Sequence, residues 1–254
     1  MYLTRVAVIF LGAVFCFLPQ VAQAADGAEL NLIGYSADSH YFAFEQYGIE
    51  DGSGFPYSEI FVIDLVNNTW VKDSPFRERS EVDGVKLGEV RTAAMAKAAA
   101  LLKSLKIDEP VQILAFKSAT EVLGDRNRVQ FDRNFLSSSM GSKPESNENV
   151  SEGRFELSVE TSKANWPADC TVESGPYFGY TVKLRSLKTG TTSELYRDDS
   201  IPASRHCPVG YDIAAIAAPT GYPQVIRYMA IIGVYSLGFE GTDRRYVAVP
   251  FTID

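Results

Sequence analysis

Short segments in which apolar and polar residues alternate recur along most of this chain, and they constrain its fold more than any other feature. The alternation is clear at 155–159 and 180–187, and the segment 59–65 is rich in residues that favour strands. Because successive side chains of a strand point to opposite faces, a period of two predicts strands with one buried face. The sequence therefore predicts a mainly β protein built from antiparallel sheets.

One segment, 89–107, departs from this pattern and predicts an α-helix. Its apolar residues recur three or four positions apart and form a single stripe, Val90, Ala94, Ala98, Leu101 and Leu105. Pro110 prevents the helix from continuing, and the small alanines indicate packing on the domain rather than on a membrane. We expect one mainly β domain with one packed helix, in either a sandwich-like or an incomplete propeller-like arrangement.

The first 24 residues have the three parts of a secretory signal peptide. A short head carries Arg5, an apolar run follows at 6–18, and Ala-Gln-Ala at 22–24 supplies the small residues of a cleavage site. The apolar run is shorter than the roughly 20 residues that cross a bilayer. We therefore expect cleavage before Ala25, which leaves a mature domain of residues 25–254 with no membrane span.

Two cysteines remain after this cleavage, since Cys16 lies within the signal peptide. Cys170 and Cys207 form an even pair in an exported chain, which predicts one structural disulfide. A thiol pair for metal or redox chemistry is the alternative. It has less support, because a Cys-x-x-Cys spacing is absent and His206 is the only adjacent ligand.

The mature chain is acidic. Residues 1–24 hold one of the 24 basic side chains and none of the 32 acidic ones, so the net charge is 23 minus 32, or −9. Such a chain is repelled by phosphate backbones and anionic lipids, so we expect neither nucleic acid nor a membrane surface as a partner. The hydrophobic content of 46% supports a real core. Only the polar segment 137–153 predicts a mobile surface loop.

The candidate binding residues belong to the loop that joins two predicted strands near the start of the domain. They are Asp51, Phe55, Tyr57 and Glu59. Exposed aromatic residues on a rigid loop tip favour protein or glycan contacts, and an inward-packed Phe55 is the alternative. The loop also holds Glu50 beside Asp51, but it lacks the alternating acidic ligands of a calcium loop, so no metal site is assigned.

Catalytic motifs are absent, because the chain contains neither Gly-x-Ser-x-Gly nor Ser-x-x-Lys. No catalytic residue and no cofactor is therefore assigned. We favour a binding or scaffolding protein, with an unidentified envelope protein or small ligand as its partner. The alternative is a hydrolase-like enzyme, for which His40 and Glu45 are the candidate residues.

Two resemblances to known families rest on the N-terminal region. The segment 34–44, with 60–65 downstream, resembles a blade of the β-propellers of Tol-type periplasmic proteins, and Ser39 stands where those repeats carry glycine. The segment 30–65 is similar to the opening of domain of unknown function 2259, a family of predicted secreted proteins from Gram-negative bacteria. The carrying residues are Asn31-Leu32-Ile33-Gly34-Tyr35-Ser36, Tyr41-Phe42-Ala43-Phe44-Glu45 and 51–59. This second resemblance spans essentially the mature chain and implies export to the periplasm or the medium, without a known activity.

Overall fold

The computed structural model describes residues 26–118, 124–133, 153–170, 175–221, 223–238 and 241–253. The predicted signal peptide lies outside the described residues, and so does the predicted mobile loop except for Gly153.

Fourteen strands and one α-helix make up the described part of the chain. The strands are β1 (Glu29–Ser36), β2 (Tyr41–Ile49), β3 (Pro56–Asp64), β4 (Thr69–Trp70), β5 (Phe76–Arg79), β6 (Ile107–Glu109), β7 (Val111–Phe116), β8 (Arg128–Asp132), β9 (Arg154–Ser162), β10 (Gly179–Ser186), β11 (Thr192–Arg197), β12 (Pro208–Pro219), β13 (Tyr228–Leu237) and β14 (Thr242–Phe251). The helix α1 spans Leu87–Ser104, and a 3-10 turn covers Ala203–Arg205. The predicted mainly β fold with one helix is confirmed.

The strands form three antiparallel sheets that stack as layers. Sheet I has the order β4-β3-β2-β1-β6, and β5 pairs with β3 beside β4. Sheet II has the order β11-β10-β9-β8, and sheet III has the order β14-β13-β12-β7. One apolar core fills the space between sheets II and III, and a second lies between sheets I and III. The arrangement is therefore a layered sandwich with sheet III in the middle.

The sequences of β12 and β13 explain why sheet III is central. Strand β12 is buried at every position of 211–219 and β13 at every position of 228–234, so neither face of these segments meets water. Ile216 and Ile232 pack toward sheet II, whereas Ala217 and Ile231 pack toward sheet I. A strand covered on both faces needs a continuous apolar run rather than an alternating one. Both strands have such a run.

Helix α1 covers the outer face of sheet I. Val90, Ala94 and Ala98 of the predicted stripe are buried. The helix begins two residues before the predicted start and ends three residues before the predicted end. The early end has a local cause, because Lys106 adopts a positive φ of 52° and Ile107 enters strand β6, where it pairs with β1.

The turn between β1 and β2 fastens sheet I to the segment before β13. Ser39 adopts a positive φ of 50°, which costs a non-glycine residue roughly 1–2 kcal/mol. Its hydroxyl donates to the carbonyl of Val225 at 2.7 Å and accepts from the backbone N of Arg227 at 3.2 Å. Glycine has no hydroxyl to form these two bonds, which explains how serine is accommodated here.

Candidate functional site

A cleft of about 650 Å³ opens between sheet I, the edge strand β14 and the loop before β12. This volume lies within the usual range of ligand pockets, about 300–1,000 Å³. Its strand wall consists of Glu59 on β3 with Arg77 and Arg79 on β5, and its loop wall consists of residues 204–207. Four residues of β14, Asp243, Arg245, Tyr246 and Val247, contribute the floor, with Trp70 and Leu237 at the rim.

Ion pairs hold the strand wall together. The Nε of Arg77 donates to Oε1 of Glu59 at 2.5 Å, and Arg79 donates to the two oxygens of Glu50 at 2.6 and 2.8 Å. The guanidinium of Arg79 also lies 4.9 Å from the ring centre of Phe55. The hydrogen bond from Arg79 outweighs partial burial and lowers the pKa of Glu50. The charges of this wall are therefore largely satisfied within the protein.

Gln46 joins the strand wall to the floor. Its Nε2 donates to Oε2 of Glu59 at 2.5 Å, and its Oε1 accepts from the backbone N of Tyr246 at 2.8 Å. The side chain thus takes the place that the carbonyl of a neighbouring strand would occupy at the edge of β14. Burial raises the pKa of Tyr246 to about 12, so its phenol stays neutral at physiological pH.

A buried ion pair holds the loop wall. Arg205 donates to both oxygens of Asp198 at 2.5 and 2.6 Å, and the Asp198 side chain is 0% exposed. Asp198 also accepts from the backbone N of Tyr180 at 3.0 Å and from the hydroxyl of Tyr196 at 2.6 Å. The guanidinium lies 4.9 Å from the ring centre of Tyr180. Burial opposes the charge of Arg205, but Asp198 outweighs it and the pKa of Arg205 rises.

The predicted disulfide lies next to this ion pair and is confirmed. Cys170 and Cys207 are joined by an S–S distance of 2.14 Å, with their Cα atoms 5.6 Å apart. Cys207 lines the cleft directly after His206. The loop wall is therefore attached to the rest of the molecule by a covalent bond on one side and by Arg205 on the other.

Asp26, the first described residue, ties the start of the domain to the floor of the cleft. Its carboxylate accepts from the hydroxyl of Tyr57 at 3.1 Å and from Nη2 of Arg245 at 2.5 Å. Its backbone N donates to Oδ1 of Asp243 at 3.3 Å. Burial raises the pKa of Asp243, and the neighbouring charge of Asp26 adds to this effect.

The structure divides the four predicted binding residues between two places. Tyr57 and Glu59 line the cleft, although the Tyr57 residue is only 5% exposed. Asp51 and Phe55 lie in the loop between β2 and β3, where Phe55 is half-buried beneath Arg79. Their joint role in binding stays a prediction.

His40 and Glu45, the candidate catalytic residues of the enzyme alternative, contact different partners. His40 lies at the start of β2 with its Nε2 3.4 Å from Oδ1 of Asp64. Glu45 is buried in β2 and accepts from Ser58 at 3.0 Å and from two nitrogens of Arg91 on α1 at 2.8 Å each. Five residues of strand separate the two candidates by about 16 Å, so they do not share a site.

Two of the three carboxylates considered for calcium are bound by arginine, whereas Asp51 accepts from the backbone N of Gly52. Glu50 pairs with Arg79, and Glu59 pairs with Arg77. Within the described ranges, no group of three or more histidine, cysteine, aspartate or glutamate side chains is arranged to hold a metal ion.

Sequence reasoning missed most residues of the cleft, among them Trp70, Arg77, Arg79, Arg205 and Tyr246. Their weak signals were the alternation of charge at 77–79 and the position of Arg205 two residues before a bridged cysteine. Neither signal indicates which distant strand lies opposite.

The fold and the cleft define a class of layered β proteins with a site between an edge strand and a disulfide-anchored loop. A family model described as predicted secreted protein (DUF2259) matches residues 43–252. The chain belongs to this family of predicted secreted proteins, as its N-terminal residues indicated. A comparison with curated proteins found no match. None of the helices in the described residues has the length and apolarity needed to span a bilayer.

Proposed function

We propose that the mature chain acts in the periplasm of a Gram-negative bacterium as a binding or scaffolding protein without catalysis, and that the cleft is its binding site. The observation that carries this proposal is the rim of the cleft. Trp70 is 47% exposed and Leu237 is 52% exposed, and both border a cavity of ligand size. Exposed apolar side chains around a cavity favour contact with a partner.

Three consistent features support this compartment. The family consists of predicted secreted proteins, the chain begins with a signal-like segment, and Cys170 is bonded to Cys207. Disulfides persist in oxidising compartments such as the bacterial periplasm.

The chemistry of the cleft supports binding rather than turnover. Hydrolysis through a covalent intermediate needs a nucleophile, a base within hydrogen-bond reach and an orienting acid. Cys207 cannot act as the nucleophile, because its thiol is consumed by the disulfide. The carboxylates of Glu59 and Asp198 are held by Arg77 and Arg205. His206 makes no ion pair with a carboxylate of the described chain.

Site-specific photo-cross-linking in cells tests the proposal. A benzoylphenylalanine at Leu237 reports on the cleft, and one at Phe116 is the matched control, since Phe116 is 62% exposed on β7, the opposite edge strand of sheet III. We expect one recurrent envelope partner from position 237 and none from position 116. Trp70→Glu should weaken the cross-link.

Native mass spectrometry of the protein purified from the periplasm covers the case of a small ligand. A bound molecule that is lost in Trp70→Glu would also support the cleft as the site. Identical products from both cross-linking positions, with no bound molecule, would contradict the proposal.

A further inference from the structure

The outer edge of β5 is unpaired and opens into the cleft. The backbone N of Ser80 donates to the carbonyl of Pro56 at 3.1 Å, which fixes the direction of the backbone groups along β5. In an antiparallel pair, alternate residues turn their N–H and C=O toward the partner strand. Phe76 and Glu78 therefore face β3, while the backbone groups of Arg77 and Arg79 point outward. No strand of the described chain pairs with that outer edge.

The side chains of β5 do not shield this edge. Proteins often protect edge strands with charged residues that oppose pairing. Here Arg77 is ion-paired with Glu59 on β3, Arg79 is ion-paired with Glu50 after β2 and with Glu81 after β5, and both arginines line the cleft. Both charges are thus neutralised by carboxylates of the protein, and the outward backbone groups are left without a partner strand in the described chain.

The composition of the cleft selects against a small anion. The guanidiniums of Arg77, Arg79, Arg205 and Arg245 already hold carboxylates of the protein, so their charge is largely neutralised and an anion gains little attraction from them. The apolar contribution comes from the rim, where the ring of Trp70 lies 5.6 Å from that of Phe61. The ligand must therefore supply backbone-like hydrogen-bonding groups together with an apolar side chain.

We infer that the cleft binds an extended polypeptide segment, which pairs with the outward backbone groups of Arg77 and Arg79 and places an apolar side chain against Trp70. This inference rests on the proposed role of the cleft as the binding site. Strand addition at an exposed sheet edge is a common mode of peptide recognition, in which main-chain bonds give affinity and alternate side chains give specificity.

A peptide with methylated backbone nitrogens tests the pairing directly. The probe is a random linear dodecapeptide library displayed on phage and selected on the oxidised mature protein. The best binder is then resynthesised with one N-methyl group at each position in turn. We expect methylation at two positions, which lie two residues apart, to weaken binding about tenfold each, because each N–H there donates to the outward carbonyl of Arg77 or Arg79, and methylation of the residue between them to change binding little.

Two substitutions at one site test the protein side. Arg77→Pro removes the outward N–H without removing a hydrogen bond to β3, and Arg77→Ala removes the same side chain but keeps the N–H. Both variants lose the Arg77 side chain, so the proline variant should bind the peptide about tenfold more weakly than the alanine variant. If thermal unfolding shows that the proline variant is not folded, the methylation series still decides the matter.

The outcomes separate this inference from the function on which it rests. Peptide binding that Trp70→Glu abolishes, but that shows no pair of sensitive positions two residues apart on methylation, overturns strand pairing and keeps the cleft as a binding site. A library that yields no binder, while Leu237 still gives its specific cross-link, overturns a short extended segment as the ligand and keeps the cleft as a binding site. If the library yields no binder, position 237 gives no specific cross-link and no bound molecule is found, both proposals are overturned.

Discussion

The two walls of the cleft are held in contrasting ways. The loop wall is joined to the fold by the Cys170–Cys207 bridge and by Arg205, whose partner Asp198 has no exposed side-chain surface. The strand wall depends on the four-residue strand β5, whose arginines Arg77 and Arg79 are about half exposed. One wall therefore relies on covalent and buried contacts, and the other relies on surface contacts.

This difference indicates which wall adjusts to a ligand. Breaking a buried ion pair by removing one partner costs about 3–5 kcal/mol, whereas exposed pairs contribute about 0–1 kcal/mol. Ligand-binding segments are drawn from the less stable parts of a structure. We expect the loop wall to stay in place while the strand wall rearranges, and the substitutions below test this view in order of expected effect.

The largest effect should follow Arg205→Ala. The change leaves the carboxylate of Asp198 buried without its cation, so the free energy of unfolding should fall by about 3–5 kcal/mol. Urea unfolding of the oxidised protein measures it. Arg205→Ala combined with Asp198→Asn should recover part of the loss, because the buried charge is gone. A loss below about 1 kcal/mol would show that the loop wall does not depend on this pair.

The next largest effect should follow removal of the disulfide. Changing both Cys170 and Cys207 to serine opens a link between residues 37 positions apart and should cost about 2–4 kcal/mol, largely through the entropy of the unfolded chain. Urea unfolding again gives the value, and the wild-type protein in reductant provides the comparison. Equal stability of the oxidised and reduced proteins would contradict a covalently fixed loop wall.

The anchors of the two walls differ in how far the sequence predicts them. Cysteine count and compartment were enough to predict the Cys170–Cys207 pair, and helical spacing was enough to place Val90, Ala94 and Ala98 on a buried face. The helix prediction rests on a short-range pattern, and the disulfide prediction rests on the two cysteines that remain once Cys16 is removed with the signal peptide. The strand β5 has no comparable signal, because four residues are too few for periodicity to be decisive.

Local sequence patterns do not predict the cleft. It joins β5 to the loop before β12 and to β14, and these contacts depend on sheet order rather than on neighbouring residues. Glu45 shows the same limit, because its partner Arg91 is 46 residues away. The continuous apolar runs of β12 and β13 were a usable signal of a central sheet, since strands covered on one face alternate.

The third prediction concerns the support behind the strand wall. Glu45→Gln removes the charged hydrogen bonds that join sheet I to α1, so it should cost about 1.5–3 kcal/mol at pH 7. Burial opposes the charge of Glu45, but the bonds from Arg91, Asn31 and Ser58 outweigh it and lower its pKa from 4.5. A lowered folded pKa gives stability that is present above pH 4.5 and is lost as the pH falls through the folded pKa.

Urea unfolding between pH 7 and pH 3 measures this dependence. The difference between wild type and Glu45→Gln should be constant above about pH 5.5 and should shrink below pH 4.5. The control Glu29→Gln changes an exposed carboxylate at the start of β1 and should alter stability little. A difference that grows on acidification would have the wrong sign for a stabilising carboxylate at position 45.

The smallest effect should follow Arg77→Ala. Its pair with Glu59 has a half-exposed guanidinium, so its loss should lower the free energy of unfolding by less than about 1 kcal/mol. Urea unfolding in low and high salt measures the effect, which should fall further as salt screens the pair. A loss comparable to that of Arg205→Ala would mean that both walls are equally fixed.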